Sequence, residues 1–309
     1  MFRYRIAGLA VCSDVEIPGL HVAEAGEGFD VSIRDGTVPE QLDGATASGP
    51  TWAIADARFL LRVPGVVRFL LTGGEAIAYQ LEADGAADDL TAFLTGTVFG
   101  ILLHQRGLAV LHASGVRVNG RAVLFLGHSG AGKSTLATAL VKQGYPLVTD
   151  DFCVVGSNAA GQPLVHPDAR LPKLWAQAIH RLDLADRQGP PVRGRLSKFY
   201  VDPPLASVSA APLTCGPVYA LREARPPHLP GIERPNIVDA ALLLRQNAYR
   251  APLIKQMGQG ELYFRLAAAV SNAGGVFQLT RALDFETLPD VIAGLERHWA
   301  ASARLADVA

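Results

Sequence analysis

The sequence predicts an α/β fold: a phosphate-loop core on a mixed sheet, with a smaller β-rich domain in front of it. Three observations predict this. Residues 127–135 read Gly-His-Ser-Gly-Ala-Gly-Lys-Ser-Thr, the G-x-x-x-x-G-K-[ST] pattern of a phosphate-binding loop. An apolar run, Arg121–Leu126, enters that loop, and a helical pattern leaves it at Lys133. Upstream, residues 1–85 alternate short β-rich runs with turn signals.

The elements follow in order. Phe2–Ile6, Phe29–Arg34, Thr51–Ala55, Arg58–Val63, Val66–Leu71 and Glu75–Glu82 read as strands of a half-buried antiparallel sheet. Asp56-Ala57, Pro64-Gly65 and Gly73-Gly74 punctuate them. The small acidic stretch Asp84–Asp89 marks the boundary between a domain of residues 1–85 and one of residues 86–309. Asp88 and Asp89 suit the positive end of a helix over Leu90–Gln105, which Gly107 stops. A hairpin of Leu108–Val118 and Arg121–Leu126 turns at Asn119-Gly120, a dipeptide suited to two left-handed residues. A helix over Lys133–Gln143 ends at Gly144. Leu147–Thr149 is a short buried strand, and Phe152–Val155 continues extended. Eight of the twenty prolines fall in Pro203–Pro235, which excludes a long helix and suggests irregular strands or a loop. Ile237–Met257 and Gly260–Asn272 read as helices, Val276–Arg281 as a strand and Leu288–Trp299 as a closing helix.

Composition narrows the function classes. Lys plus Arg number 28 and Asp plus Glu 29, for a net charge of −1. Such a chain has no global attraction to nucleic acid or anionic lipid. Apolar residues at 49% against 18% charged support a sizeable core. Cys12, Cys153 and Cys215 are too scattered for a disulfide framework or a zinc site and read as free thiols. The apolar run after Arg3 and Arg5 is too short for an export signal, and Ala92–Leu103 is too short to span a bilayer. A cytoplasmic protein without a membrane partner is the expectation.

The candidate chemistry centres on the loop. Glycines let successive N–H groups converge on one anion, and the helix N-terminus adds its positive end. Gly127, Ser129, Gly130, Ala131, Gly132, Lys133, Ser134 and Thr135 are therefore the expected nucleotide-binding set. Lys133 supplies mobile charge to the terminal phosphates, and the Ser134 hydroxyl suits Mg²⁺. His128 is read as a variable loop position. Asp150 and Asp151 follow sixteen and seventeen positions after Ser134. One carboxylate suits the metal and the other the proton of an attacking hydroxyl. Neighbours in an extended strand face opposite ways, so the roles are unequal unless the backbone turns there. The favoured arrangement gives Asp151 to the metal and Asp150 to the proton, with the reverse left open. His112, on the strand before the loop, is a candidate for the γ phosphate or the acceptor. Gly189–Lys198 carries Arg193, Arg195 and Lys198 and reads either as a closing loop that brings positive charge to the site or as a solvated basic loop.

Three functions compete: a kinase acting on a peptide or protein hydroxyl, a small-molecule kinase, and a nucleotide-dependent switch. The chain lacks N-K-x-D, the base-reading string of a GTPase switch, and lacks H-R-D. Asp151-Phe152-Cys153 lacks the glycine of D-F-G. The adjacent carboxylates favour transfer over switching.

LHASGV, GHSGAGKST and LVTDD together resemble the catalytic core of the bacterial HPr kinase/phosphorylase family. That resemblance implies a phosphate-loop kinase core related to phosphoenolpyruvate carboxykinase. It implies that His112 is the active-site histidine, and that Lys133 and Ser134 serve nucleotide and metal. It also implies that one of Asp150 and Asp151 is the base for an acceptor serine. The chain is still more similar to relatives in peptide-tailoring gene clusters, through YRIAGLAVCSDVEIPGL, RGLAVLHASGV and Pro172-Lys-Leu-Trp175. Lasso-peptide precursor kinases belong to that group. The implied activity is transfer from ATP, with Mg²⁺, to a serine of a peptide or protein acceptor, and the resemblance admits a homo-oligomer.

Overall fold

The computed structural model describes every residue except 21, 24–27, 84, 86, 169, 193–195, 203–210 and 307–309. The N-terminal part is an eight-stranded sheet. Its order is Phe2–Ile6, Leu9–Ser13, Val31–Asp35, Ala76–Leu81, Val67–Thr72, Arg58–Val63, Trp52–Ala55 and Ala47–Gly49. The sheet is not purely antiparallel as expected, because Val31–Asp35 runs parallel to both its neighbours. The apolar run after Arg3 is half of a tight hairpin, which turns at Ala7 and Gly8 with both φ positive. An Ala-Gly turn carries a weaker signal than Asn-Gly, so the strand Leu9–Ser13 escaped the sequence reading.

The second sheet has nine strands. Leu147–Thr149, Ala113–Val118, Arg121–Leu126, Leu213–Glu223, Pro163–His166, Cys153–Ser157 and Ala109–Leu111 follow in order. Val276–Arg281 also pairs with Leu213–Glu223 and carries Gly231–Glu233 on its other side. The central strand is thus Leu213–Glu223, inside the proline-rich segment. Gly216 and Pro217 fall where the register with Arg121–Leu126 shifts, so the missing proline N–H breaks no regular ladder.

Two further expectations need correction. The strand expected over Leu108–Val118 is broken at His112. Ala109–Leu111 pairs with Cys153–Ser157, whereas Ala113–Val118 pairs with Arg121–Leu126 and Leu147–Thr149. The helix expected over Ile237–Met257 splits into Ile237–Gln246 and Ala251–Gln256, with Arg250 at φ +54 between them. Pro252 cannot continue an incoming helix, and the interruption lets Asn247 accept the His112 backbone N–H at 2.8 Å.

The helix after the N-terminal sheet begins at Ala87 and widens to π geometry over Leu94–Val98 before Phe99–Gln105. Tyr249 lies against it so closely that a Cβ at Gly100 would meet its ring at 2.4 Å. Arg170 donates to the Thr95 carbonyl, and Arg250 to the Thr97 hydroxyl. One buried core joins Val31, Phe59 and Phe69 of the first sheet to Phe99 and Leu102 of this helix, and to Val110, Phe152 and Tyr249. Among the described residues no helix is long and apolar enough to cross a membrane. All three cysteines are free and buried.

Arg170 is the charged anchor of this region. It is 4% exposed, donates from Nε to Asp168 at 2.7 Å, and lies over the Phe152 ring at 3.3 Å. Removing one partner of a buried pair strands the other charge. Arg170→Met is therefore expected to cost about 3–5 kcal/mol in urea unfolding. Adding Asp168→Leu should return part of that loss. An unchanged unfolding midpoint in the single variant would contradict the assignment.

Candidate functional site

The glycine-rich loop leaves the buried strand Arg121–Leu126 and enters the helix Lys133–Lys142. That helix packs Leu136, Ala137, Leu140 and Val141 into a second core with Phe125. Gly132 is the N-cap at φ +80, in the left-handed region. A Cβ there would meet Arg281 Nη2 at 2.3 Å. The Arg281 guanidinium instead donates to the Ala131 carbonyl at 3.0 Å and braces the loop from behind. Lys133 is 6% exposed, and its ammonium donates to the carbonyls of Gly127 at 2.7 Å and His128 at 3.1 Å. Burial pushes its pKa down to about 8; Asp150 and Asp151 oppose the shift, and Lys198 adds to it.

The acidic pair sits on a turn. Asp151 has φ +75, a conformation uncommon for a residue with a side chain, and both carboxylates line the pocket beside the loop. Thr149 Oγ1 donates to the Phe152 carbonyl at 2.6 Å, and Phe152 N to the Asp150 carbonyl at 3.1 Å. Asp150 is 2% exposed. Its Oδ1 accepts from Ser114 Oγ at 2.5 Å and its Oδ2 from Lys173 N at 3.2 Å. Asp151 is more open, with Oδ2 at 3.2 Å from Lys173 Nζ and Oδ1 at 3.7 Å from His112 Nε2. Burial would raise the Asp151 pKa, but Lys173, then Arg170 and His112, hold it well below the usual carboxylate range.

His112 occupies the break between two strands, edge-on to Tyr249 at 5.9 Å between ring centroids. Burial, and then Lys133, push its pKa down to about 4, against the pull of Asp151 and Asp150. The imidazole is neutral near pH 7. Its approach to Asp151 is a polar contact, too long for a hydrogen bond.

A small three-stranded sheet closes the pocket. Lys173–Trp175 pairs with Lys198–Val201, which pairs with Gln188–Pro191. Register sets Trp175 opposite Lys198 and Lys173 opposite Tyr200. Side chains two apart share a face, so Lys173, Trp175 and Lys198 all line the pocket. The Lys198 ammonium lies 5.9 Å from the Trp175 ring.

One pocket thus gathers His112, Ser129, Gly130, Gly132, Lys133, Ser134, Thr135, Asp150, Asp151 and Lys198. Arg193 and Arg195 lie outside the described residues. Gly127 and His128 line a neighbouring cavity that also reaches His112. Ala131 is buried behind the loop, its carbonyl held by Arg281. Ser134 and the two carboxylates offer hard oxygen donors in one place, a set that fits Mg²⁺ completed by phosphate and water oxygens. Among the described residues no group of three His, Cys, Asp or Glu side chains forms a site for a metal held by protein alone. Sequence reasoning missed Lys173 and Ser114 as contacts of the acidic pair. A signal existed for the first: the chain has five lysines, and three of them, Lys133, Lys173 and Lys198, meet here. Ser114 lies two residues beyond His112, with no local mark of its contact to Asp150.

Residues 107–169 match the HPr Serine kinase C-terminal domain family. No curated protein matches the chain. Among solved structures, the Hpr(Ser) kinase/phosphatase from Coxiella burnetii is similar at 16% identity, covering 64% of this chain and 94% of that chain, with a TM-score of 0.37. The matched residues 107–169 include His112, the glycine-rich loop and both carboxylates, so the similarity to that family lies in the stretch that builds the pocket.

Proposed function

We propose that this protein is a phosphotransferase of the HPr kinase-like type. It moves the γ-phosphoryl group of ATP to a serine hydroxyl of a peptide or protein. A ribosomally made precursor peptide, such as a lasso-peptide precursor, is the proposed acceptor. The observation that carries this reading is the convergence, in one pocket, of the loop lysine and serine, two adjacent carboxylates, a neutral histidine and two further lysines.

The chemistry follows from these groups. The loop N–H groups and Lys133 bind the phosphates, and Ser134 with Asp150 would hold Mg²⁺. Mg²⁺, when bound, supplies charge that neutralises the phosphate oxygens. Asp150 has both oxygens engaged and is buried, which suits a fixed ligand. Asp151 is ionised and more open, which suits it to accept the serine proton. These roles reverse the assignment favoured from the sequence alone. The serine oxygen forms a bond to the γ phosphorus as the bond to the departing ADP oxygen breaks. The serine proton passes to the Asp151 carboxylate and on to solvent. Such a transition state is loose, so the proton leaves late and position matters more than basicity. Lys173 and Lys198 supply positive charge beside the transferring group, Lys173 holds Asp151 in place, and neutral His112 faces the acceptor hydroxyl.

Turnover of Mg-ATP with and without candidate acceptor peptides, read as phosphoserine by mass spectrometry, tests the reading. Phosphorylation of small hydroxyl compounds alone, or hydrolysis without transfer, would replace it. Asp151→Asn is expected to keep ATP affinity and lower kcat by roughly 10²–10⁴-fold, the range of a general base. Asp150→Asn should weaken Mg-ATP binding as well. Wild-type rates in both variants would exclude this mechanism.

The Lys133 pKa of about 8 gives a second test. A lysine with a lowered pKa loses its charge as pH rises through that value. Phosphate binding requires the charged form, so binding above about pH 8 takes up a proton. The Mg-ATP dissociation constant should then rise up to tenfold per pH unit above that point. Titration calorimetry in buffers of different ionisation enthalpy would detect the proton uptake. A constant affinity from pH 7 to 9.5 would contradict the role given to Lys133.

A further inference from the structure

The phosphate pocket does not end at the loop. Gly130, Gly132, Thr135 and Trp175 also line a second cavity, which extends away from His112 and the carboxylates. Its other walls combine Ala178, Leu283, Phe285 and Leu288 with the polar side chains of Gln177, Arg281 and Asp284. The two cavities differ in chemistry. One holds the charged groups of transfer; the other sets an indole, a phenyl ring and aliphatic side chains beside a few polar groups.

Trp175 is 50% exposed and Leu283 46% exposed. The other two tryptophans are more covered. Trp299 is buried, and Trp52 is stacked on Phe59 with centroids 6.0 Å apart. Leu283 approaches the loop, lying 3.8 Å from where a Cβ on Gly132 would be. Behind Phe285, the Arg181 guanidinium is 5.6 Å from the ring. Exposed aromatic and aliphatic surface in a cleft has a hydration cost that a flat apolar group removes. The two cavities share Gly130, Gly132, Thr135 and Trp175, and the acidic pair lines only the first, so one ligand can lie across both. Such a ligand has an anionic head and a flat apolar tail.

We infer that the cleft between Trp175, Leu283 and Phe285 is the base subsite of the nucleotide, and that it takes a purine ring stacked on the Trp175 indole. This rests on the phosphate-site reading above and adds what selects a nucleoside triphosphate over a bare polyphosphate. Trp175 then serves both cavities: one part of its ring faces Lys198 and another faces the base. The larger face of a purine covers more of this surface than a pyrimidine does.

The test compares Mg-ATP with Mg-tripolyphosphate, which carries the three phosphates without the nucleoside and with one more ionisable oxygen. The readout is the ratio of the two dissociation constants, in which general damage to the loop cancels. The wild type should bind ATP at least ~10-fold more tightly, as stacking of a base on an aromatic ring provides. Trp175→Ala and Leu283→Ser should bring that ratio towards one. In the unaltered protein, ATP should shield the exposed tryptophan emission from iodide, while tripolyphosphate should not. Equal wild-type affinity for the two ligands overturns the base subsite and leaves the phosphate site standing. A ratio unchanged in both variants overturns it too. Binding of neither ligand removes the phosphate-site reading, and the base subsite with it.

Discussion

The turn at Asp150 and Asp151 is the constraint on which the site depends. Two neighbouring carboxylates reach one pocket because Asp151 takes a left-handed backbone. That conformation costs energy for a residue with a Cβ and persists only where surroundings enforce it. Here the surroundings are specific. The Thr149 hydroxyl holds the Phe152 carbonyl, and the Phe152 ring is packed between Phe99 and the Arg170 guanidinium. Lys173 then takes both carboxylates, one through its backbone N–H and the other through its ammonium. The strain at one residue is maintained by the buried core that holds Phe152.

That core also ties the N-terminal sheet to the chemistry. Phe152 and Tyr249 stand directly behind Asp151 and His112, and both belong to the cluster that includes Val31, Phe59 and Phe69. Leu171 N donates to the Gly19 carbonyl at 3.1 Å, two residues before Lys173. The first sheet therefore supports the site mechanically, without contributing a side chain to the pocket. Loss of that sheet would strip the packing from behind the acidic turn.

What the sequence made legible was local. The loop, its preceding strand and its helix are contiguous, and glycine and lysine spacing expresses their geometry directly. Val276–Arg281 was read with its observed bounds because its β-rich pattern needs no distant partner to be seen. The features that escaped depend on distant chain. The strand break at His112 arises because the residues before it and after it pair with different strands. Leu213–Glu223 was hidden by the prolines around it, and the cost of its own, Pro217, vanishes at a register shift. Lys173 fills the unspecified position of the Pro172-Lys-Leu-Trp175 segment, with no mark of its role until a three-stranded sheet turns it towards Asp151. The acidic pair was visible, but which carboxylate is buried was not, since Ser114 reaches Asp150 from another strand.

The left-handed backbone at Asp151 changes what counts as a mild substitution. Glutamate preserves the charge and is the customary conservative exchange for aspartate. At φ +75 it is the harsher change, because longer side chains lack the local hydrogen bonding that lets aspartate and asparagine visit this region. Asparagine alters the chemistry and keeps the turn; glutamate keeps the chemistry and threatens the turn. Variation at this position is thus filtered by conformation before it is filtered by charge. A chain that lost its activity here could retain the shape of the turn with asparagine or glycine, so a preserved fold around this pocket would not by itself mark a preserved enzyme.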